Sequence, residues 1–157
     1  MELKTFETTR RSFFGAAVFG AFAAGSPLAI AQGSERTAAE KANVQIINDF
    51  CAAWASRDME KPLAFLSSDC VYRMSETTPP VNGHEGVIQR LKSYIDASNR
   101  VEFEVLETFA AGPLVINRRI DRYISPARPL IWEGVGVFFV QNGKIKEWSD
   151  YTTKVTR

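Results

Sequence analysis

An arginine and an aspartate lie two positions apart in the segment Arg119-Ile120-Asp121. The residues around them, 114–124, alternate between apolar and polar types, which predicts a β-strand. Successive side chains on a strand point to opposite faces, so Arg119 and Asp121 share one face. The other face carries three isoleucines: Ile116, Ile120 and Ile124. Since the apolar side is complete without them, the two charged residues either face water or line a pocket with a polar floor.

A second carboxylate, Asp150, lies two residues after Trp148 in another β-prone segment. If the sheet curls so that these faces converge, one guanidinium would bridge two carboxylates, because its fork can hold a carboxylate on each side. Such a pair retains one proton, and desolvation raises the pKa of the protonated partner further. It would supply one carboxylic acid and one carboxylate for general acid–base catalysis. Tyr72, on an earlier strand, is a further candidate for this site.

Each of these residues also has a structural interpretation. Arg-x-Asp on a strand is commonly an exposed ion pair, Asp150 could lie on the surface near the C-terminus, and Tyr72 could be a half-buried core residue. Arg118 and Arg122 flank the motif on the opposite face and are predicted to be solvated or interfacial. The choice between these interpretations depends on the elements that position the residues.

Hydrophobic spacing predicts an α+β fold. Apolar residues recur at helical spacing in three segments, residues 40–56, 59–66 and 84–99. Alternation predicts strands at residues 69–75, 100–109, 114–124, 130–140 and 144–154, of which 130–140 is apolar enough for a central strand covered on both faces. Helices followed by hairpin-linked strands indicate a curved antiparallel or mixed sheet packed with three N-terminal helices. Such a sheet forms a cone around an internal pocket.

Composition narrows the possible partners. The chain has 157 residues, with 19 Lys and Arg against 18 Asp and Glu, which suits one globular domain. No basic run is interleaved with aromatics, so nucleic-acid binding is not expected. The single histidine, His84, cannot build a metal site alone, so neither a metal nor a cofactor is expected. Cys51 and Cys70 could pair in an oxidising compartment, but their spacing does not show that they meet.

Residues 1–31 have the order of features found in a twin-arginine signal peptide. Arg10 and Arg11 precede an apolar segment, residues 13–24, and Ala29-Ile30-Ala31 supplies a small-x-small cleavage site. The apolar segment is too short for a permanent transmembrane helix. We therefore predict a single domain over residues 32–157, exported to the periplasm or secreted and not stably inserted in a membrane after cleavage.

The chain resembles limonene-1,2-epoxide hydrolase and its relatives in the nuclear-transport-factor-2-like superfamily of cone-shaped α+β proteins. The resemblance covers residues 44–151, and its most specific part is Arg119-x-Asp121 together with Asp150. Further matching segments are Gly136-Val137-Phe138, Asn142-Gly143-Lys144-Ile145, Trp148-Ser149-Asp150-Tyr151, and Pro79-Pro80 followed by Gly83.

This resemblance implies that water opens a small apolar epoxide to a diol in one step, without a covalent intermediate. Asp150 would act as the general base on the water and Asp121 as the general acid on the epoxide oxygen. Arg119 would bridge the two carboxylates, and Tyr72 would position the water. An asparagine that also holds the water in the family is replaced by Met74, which offers no strong hydrogen-bonding group. Ser75 follows it, but strand alternation would turn Ser75 away.

Met74, Trp148 and Phe138 are expected to contact the substrate. The resemblance also implies a homodimer formed through the convex face of the sheet. Two other functions remain open at this point. One is a binding module that holds a hydrophobic small molecule without chemistry, which Met74 favours. The other is a different acid–base enzyme, an isomerase or cyclase, in which one carboxylate moves a proton and Arg119 tunes it.

Overall fold

The structure is a computed structural model that describes residues 35–155. The predicted signal peptide, residues 1–31, lies outside the described residues, so its cleavage and the export that it implies stay predictions. The same holds for the boundary at residue 32. Within residues 35–155, no helix is both long enough and apolar enough to cross a membrane.

The described chain folds into three α-helices and six strands. The helices are α1 (Ala38–Ala53), which continues as a 3-10 turn (Trp54–Ser56), α2 (Glu60–Leu63) and α3 (Gly83–Asp96). The strands are β1 (Leu66–Arg73), β2 (Val81–Asn82), β3 (Arg100–Ala111), β4 (Leu114–Ile124), β5 (Leu130–Gln141) and β6 (Lys144–Lys154). Helix α1 starts with a capping box, in which Thr37 and Glu40 each accept a hydrogen bond from the other's backbone nitrogen.

The six strands form one mixed sheet in the order β2-β1-β6-β5-β4-β3. Strand β1 runs parallel to β6, and the other neighbouring pairs are antiparallel. Register shifts in β3, near residue 106, and at the β5–β6 pairing, near residue 140, add local twist. The predicted α+β fold with a curved mixed sheet is confirmed, although α3 follows β1 and β2 in the chain.

The core lies between the helices and one face of this sheet. Phe50 of α1 packs edge-on against Trp54, Phe138 and Trp148, with ring centroids 5.0 to 6.0 Å apart. Helix α3 buries its apolar side, Val87, Leu91 and Ile95, in the same core. The core beneath α1 is thus built by the close packing of large aromatic rings.

The inner face of strand β4 carries polar residues in its middle. Arg119 and Asp121 are buried, whereas the three isoleucines are half-buried on the convex side (Ile116, Ile120 and Ile124). Arg118 and Arg122 share that convex side and pair with glutamates of neighbouring strands. The structure therefore selects the pocket over the exposed ion pair for Arg119 and Asp121.

Three predictions about individual helices and strands need correction. The second helix is shorter than residues 59–66, because Leu66 already pairs with Ile145 of β6 and starts β1. The loop around residues 77–83 contains β2, which pairs with β1 through Val81 and Asn82. Strand β5 has a half-exposed convex face, on which Phe139 is 37% exposed, so it is not covered on both faces within this chain. The homodimer stays a prediction.

Candidate active site

Arg119 stands at the centre of a buried polar cluster. Its Nε donates to Asp121 Oδ1 at 2.8 Å, and its Nη2 donates to Asp150 Oδ1 at 2.6 Å. Nη1 donates to Asn117 Oδ1 at 3.1 Å. Arg119 is 1% exposed, and each aspartate is 5% exposed. One guanidinium thus bridges two carboxylates inside the protein, as the sequence predicted.

A glycine makes this bridge possible. Asn117, Arg119 and Asp121 lie on one face of β4 because they alternate along the strand. Asp150 lies two strands away on β6, and Gly136 of β5 pairs with both Asn117 and Asp150. A Cβ atom at position 136 would overlap Arg119 Nη1 and press on the ring of Phe138. The missing side chain is therefore the space through which the guanidinium reaches across β5.

The two carboxylates have different surroundings. Asp150 accepts hydrogen bonds from Arg119, from Trp148 Nε1 at 2.6 Å and from the Tyr72 hydroxyl at 3.2 Å. Asp121 accepts one side-chain hydrogen bond, from Arg119. Donors aimed at a carboxylate favour its charged form, so the geometry favours Asp150 as the carboxylate and Asp121 as the acid.

Electrostatics agree with this division. Burial raises the pKa of Asp121 from 3.8 to about 6, with the nearby Asp150 adding to the shift and Arg119 opposing it. Burial would lower the pKa of Arg119, but the two carboxylates hold it well above its ordinary value, so the guanidinium stays charged. Burial, followed by the charge of Asp150, raises the pKa of Tyr72, so its hydroxyl remains a neutral donor. The cluster as a whole favours keeping one shared proton.

A cavity of about 510 Å³ opens onto this cluster. Tyr72, Asp121 and Asp150 line its inner end, and Arg119 lies behind them. The remaining wall is mixed, with apolar and aromatic side chains interrupted by hydroxyls and one arginine: Met74, Ser75, Thr78, Arg90, Leu91, Ser93, Tyr94, Tyr123, Trp132 and Thr152. A volume and lining of this kind suit a small organic molecule.

Two of the predicted substrate contacts need correction. Met74 lines the cavity as expected, but Phe138 and Trp148 do not. Both rings lie in the core against Phe50, and Arg119 Cζ is 5.8 Å from the centroid of Phe138. Trp148 instead donates to Asp150 and stacks on Tyr72, with ring centroids 3.9 Å apart. These residues support the cluster from behind.

Sequence reasoning missed two features of the site. Asn117 is the third acceptor for Arg119. It lies two residues before Arg119 on the same strand, so alternation could have predicted that the two side chains share a face. Ser75 and Thr78 both line the cavity with their hydroxyls 2.5 Å apart, although strand alternation predicted that Ser75 turns away. Strand β1 ends at Arg73, so its alternation does not extend to residue 75.

A second, polar cavity of about 360 Å³ reaches Asp150 from another side. It shares Ser75, Asp150 and Thr152 with the main cavity, and Asp121 does not line it. Its remaining lining is Glu76, Thr77, Tyr151 and Thr153. Asp150 thus borders both cavities, whereas Asp121 borders the main cavity alone.

Neither cysteine accepts a hydrogen bond from Arg119. Cys51 and Cys70 are both buried and free, so no disulfide joins them. Burial raises the pKa of the Cys51 thiol to about 12, so it stays a neutral core residue. Among residues 35–155, no group of three or more acidic, histidine or cysteine side chains is arranged to hold a metal ion.

The curved six-stranded mixed sheet, with helices packed on one face, is that of a cone-shaped α+β protein. Residues 47–148 match the family model of the SnoaL-like domain, and the chain belongs to this family. The predicted place in the nuclear-transport-factor-2-like superfamily is thereby confirmed.

Solved structures of the same fold include proteins of different kinds. An LEH-like epoxide hydrolase from M. tuberculosis is 25% identical, with 73% of this chain and 84% of that chain covered at a TM-score of 0.61. A putative SnoaL-like polyketide cyclase from Jannaschia sp. CCS1 is 17% identical, with 76% and 91% covered at a TM-score of 0.66. TerC, co-crystallised with polyporic acid, is 17% identical, with 71% and 92% covered at a TM-score of 0.61. The last two likenesses concern the fold alone.

Proposed function

We propose that this protein is an epoxide hydrolase that opens a small epoxide to a diol by one-step general acid–base attack of water. The observation that carries the proposal is the bridge from Arg119 to both Asp121 and Asp150, at the inner end of a cavity. The likeness to the M. tuberculosis LEH-like epoxide hydrolase supports it.

The two carboxylates divide the proton transfers between them. Asp150, as the carboxylate, removes a proton from water while the water oxygen forms a bond to an epoxide carbon. The C–O bond on that carbon breaks, and Asp121, as the acid, donates its proton to the departing oxygen. Afterwards Asp150 holds a proton and Asp121 is charged, so one proton must return from Asp150 to Asp121. Arg119 keeps both groups in place throughout the cycle.

The attacking water needs two anchors besides its base. Tyr72 is bonded to Asp150 Oδ2 at 3.2 Å and provides the first. Met74 cannot provide the second, but Ser75 and Thr152 supply hydroxyls beside Asp150, where the two cavities meet. In this proposal, water approaches from the polar cavity, which Asp150 also lines, while the substrate occupies the main cavity.

A panel of terpene and cycloalkene oxides, incubated with the purified protein, tests the proposal through diol formation. In ¹⁸O-labelled water, a single turnover should place the label in the diol and none in the protein. Asp150→Asn should lower kcat by a factor of about 10² to 10⁴, the usual worth of a general base. The absence of diol from every epoxide tested, or undiminished turnover in Asp150→Asn, would contradict the proposal.

Met74 favours a second candidate, an isomerase or cyclase that moves a proton on a carbon acid. An apolar side chain beside Asp150 leaves less support for a bound water, whereas one carboxylate tuned by Arg119 suffices for proton abstraction. Enone and polyketide-like substrates in deuterated water distinguish the two functions, since only this candidate exchanges their acidic protons. A ligand that co-purifies and is never turned over would instead support a binding module.

A further inference from the structure

Arg90 is a cation on the cavity wall, and no acidic side chain within residues 35–155 pairs with it. It lies on α3, half-buried, on the same side of the helix as Ser93 and Tyr94, which also line the cavity. Its Nη2 donates to the backbone oxygen of Pro79 at 3.3 Å. Among the ion pairs of residues 35–155, none includes Arg90. Most of its donors therefore remain available to a ligand.

Residues with hydroxyl groups line the same cavity as Arg90. The contact with Pro79 holds Arg90 beside Thr78, which precedes Pro79 in the chain and lines the cavity. The Thr78 hydroxyl is hydrogen-bonded to that of Ser75, and Ser93 follows Arg90 by one helical turn. A guanidinium binds a carboxylate, often through two parallel hydrogen bonds, and hydroxyls on the same cavity wall offer it further donors.

The cavity is also electrically polarised. Its carboxylates, Asp121 and Asp150, contact Arg119 at the inner end, and Arg90 is the cation among the lining residues. An anionic group on a substrate would be attracted to Arg90, whereas the charge of Asp150 at the inner end is already matched by Arg119. The opposite end of such a molecule would then be directed at the acid and the base.

We propose that Arg90, with the hydroxyls of Thr78 and Ser93, forms a carboxylate-binding subsite, and that the substrate is an epoxide carrying a carboxylate at its far end. The assignment of the reactive end rests on the proposed hydrolase function, whereas the subsite is a statement about binding alone. It narrows the expected small apolar molecule to an amphiphilic acid with an apolar body between its two polar ends.

Binding of unreactive ligands tests the subsite without any turnover. Cyclohexylacetate and cyclohexylacetamide have nearly the same shape and differ in charge, so calorimetry can compare their affinities for the full protein. We expect the carboxylate to bind at least tenfold more tightly, since hydrogen bonds between ions are about twice as strong as neutral ones. Arg90→Gln should bring this ratio close to one.

Lys92→Gln is the matched control, because Lys92 lies on the same helix, pairs with Asp96 on the exposed side and does not line the cavity. This variant removes the same charge and should keep the wild-type ratio. Equal binding of the two ligands by the wild type, no measurable binding of the carboxylate, or an unchanged ratio in Arg90→Gln would each overturn the subsite. A loss of preference in Lys92→Gln as large as in Arg90→Gln would do the same.

Turnover then separates this inference from the proposed function. For an epoxy acid, Arg90→Gln should raise KM at least tenfold with little change in kcat, and for its methyl ester the rise in KM should be several times smaller. Carboxylate preference without any epoxide hydrolysis would leave the subsite standing and remove the hydrolase. Hydrolysis of neutral epoxides with no effect of Arg90→Gln on either ligand pair would keep the hydrolase and remove the subsite.

Discussion

Arg119 lies behind the inner end of the cavity and Arg90 lines its wall, and the two arginines are held in opposite ways. Arg119 is 1% exposed, and its three nitrogens donate to Asp121, Asp150 and Asn117. Arg90 is half-buried, and it donates to one backbone oxygen. A charge removed from water must be matched by fixed partners, so the buried arginine is committed to the protein. The half-buried arginine makes one hydrogen bond to the protein, so its other donors can bind a ligand.

Replacing each arginine by methionine should produce the largest contrast. Arg119→Met leaves two carboxylates buried without their cation, which typically costs about 3 to 5 kcal/mol of stability. Arg90→Met removes no buried partner and should change stability by less than about 0.5 kcal/mol. Urea denaturation followed by circular dichroism measures both. Similar losses in the two variants would contradict the comparison.

Gly136→Ala should disturb Arg119 without reaching Arg90. The added methyl group must displace the guanidinium or the ring of Phe138, and overpacking of this kind costs about 1 to 3 kcal/mol. Epoxide hydrolysis should fall at the same time, because the bridge is broken. Preference for cyclohexylacetate should persist.

A double-mutant cycle checks the cause of this loss. In an Arg119→Met background, the cost of Gly136→Ala should shrink, since the group that the methyl meets has gone. If Gly136→Ala lowers the stability equally in both backgrounds, the loss arises from the β5 backbone and not from contact with Arg119.

The smallest expected effect is on the pH dependence of kcat/KM, which should depend on Asp121 at the inner end of the cavity and not on Arg90. Asp121 must be protonated to act as the acid, and its pKa in the folded protein is about 6. We therefore expect kcat/KM to decline above pH 6, both in the wild type and in Arg90→Gln. A profile that stays flat to pH 9 would contradict the role of Asp121.

The same shift affects stability. The pKa of Asp121 is higher in the folded protein than its ordinary value of 3.8, so the folded state binds more protons between these two pH values. This contribution is complete below pH 3.8 and is lost as the pH rises through about 6. Asp121→Asn should flatten the dependence of the melting temperature on pH in this window.

The sequence predicted the fold best where one pattern extends over many residues. Strands β4 and β6 have the predicted bounds because alternation persists over eleven residues in each. The segment around Leu63 and Leu66 is too short for alternation and helical spacing to differ, so α2 and β1 were misplaced. Strand β2 has only two residues and forms because β1 is beside it.

The site was partly predictable for a similar reason. Alternation indicates the face on which a side chain lies. It therefore allowed Arg119, Asp121 and Asp150 to be grouped in one candidate site, and the structure shows them in contact. It does not indicate depth along the cone. Trp148 shares a face with Asp150 but lies where α1 covers the sheet, so it packs on Phe50 and does not meet the cavity.

The glycine at position 136 has a consequence for descent within this family. One base change in a glycine codon produces alanine, and here that change would place a methyl group where Arg119 Nη1 lies. A lineage could thus lose the bridged acids while every acidic residue remains in its sequence. Relatives that keep both aspartates and the arginine but carry a side chain at this position are therefore expected to lack the bridge between the two carboxylates.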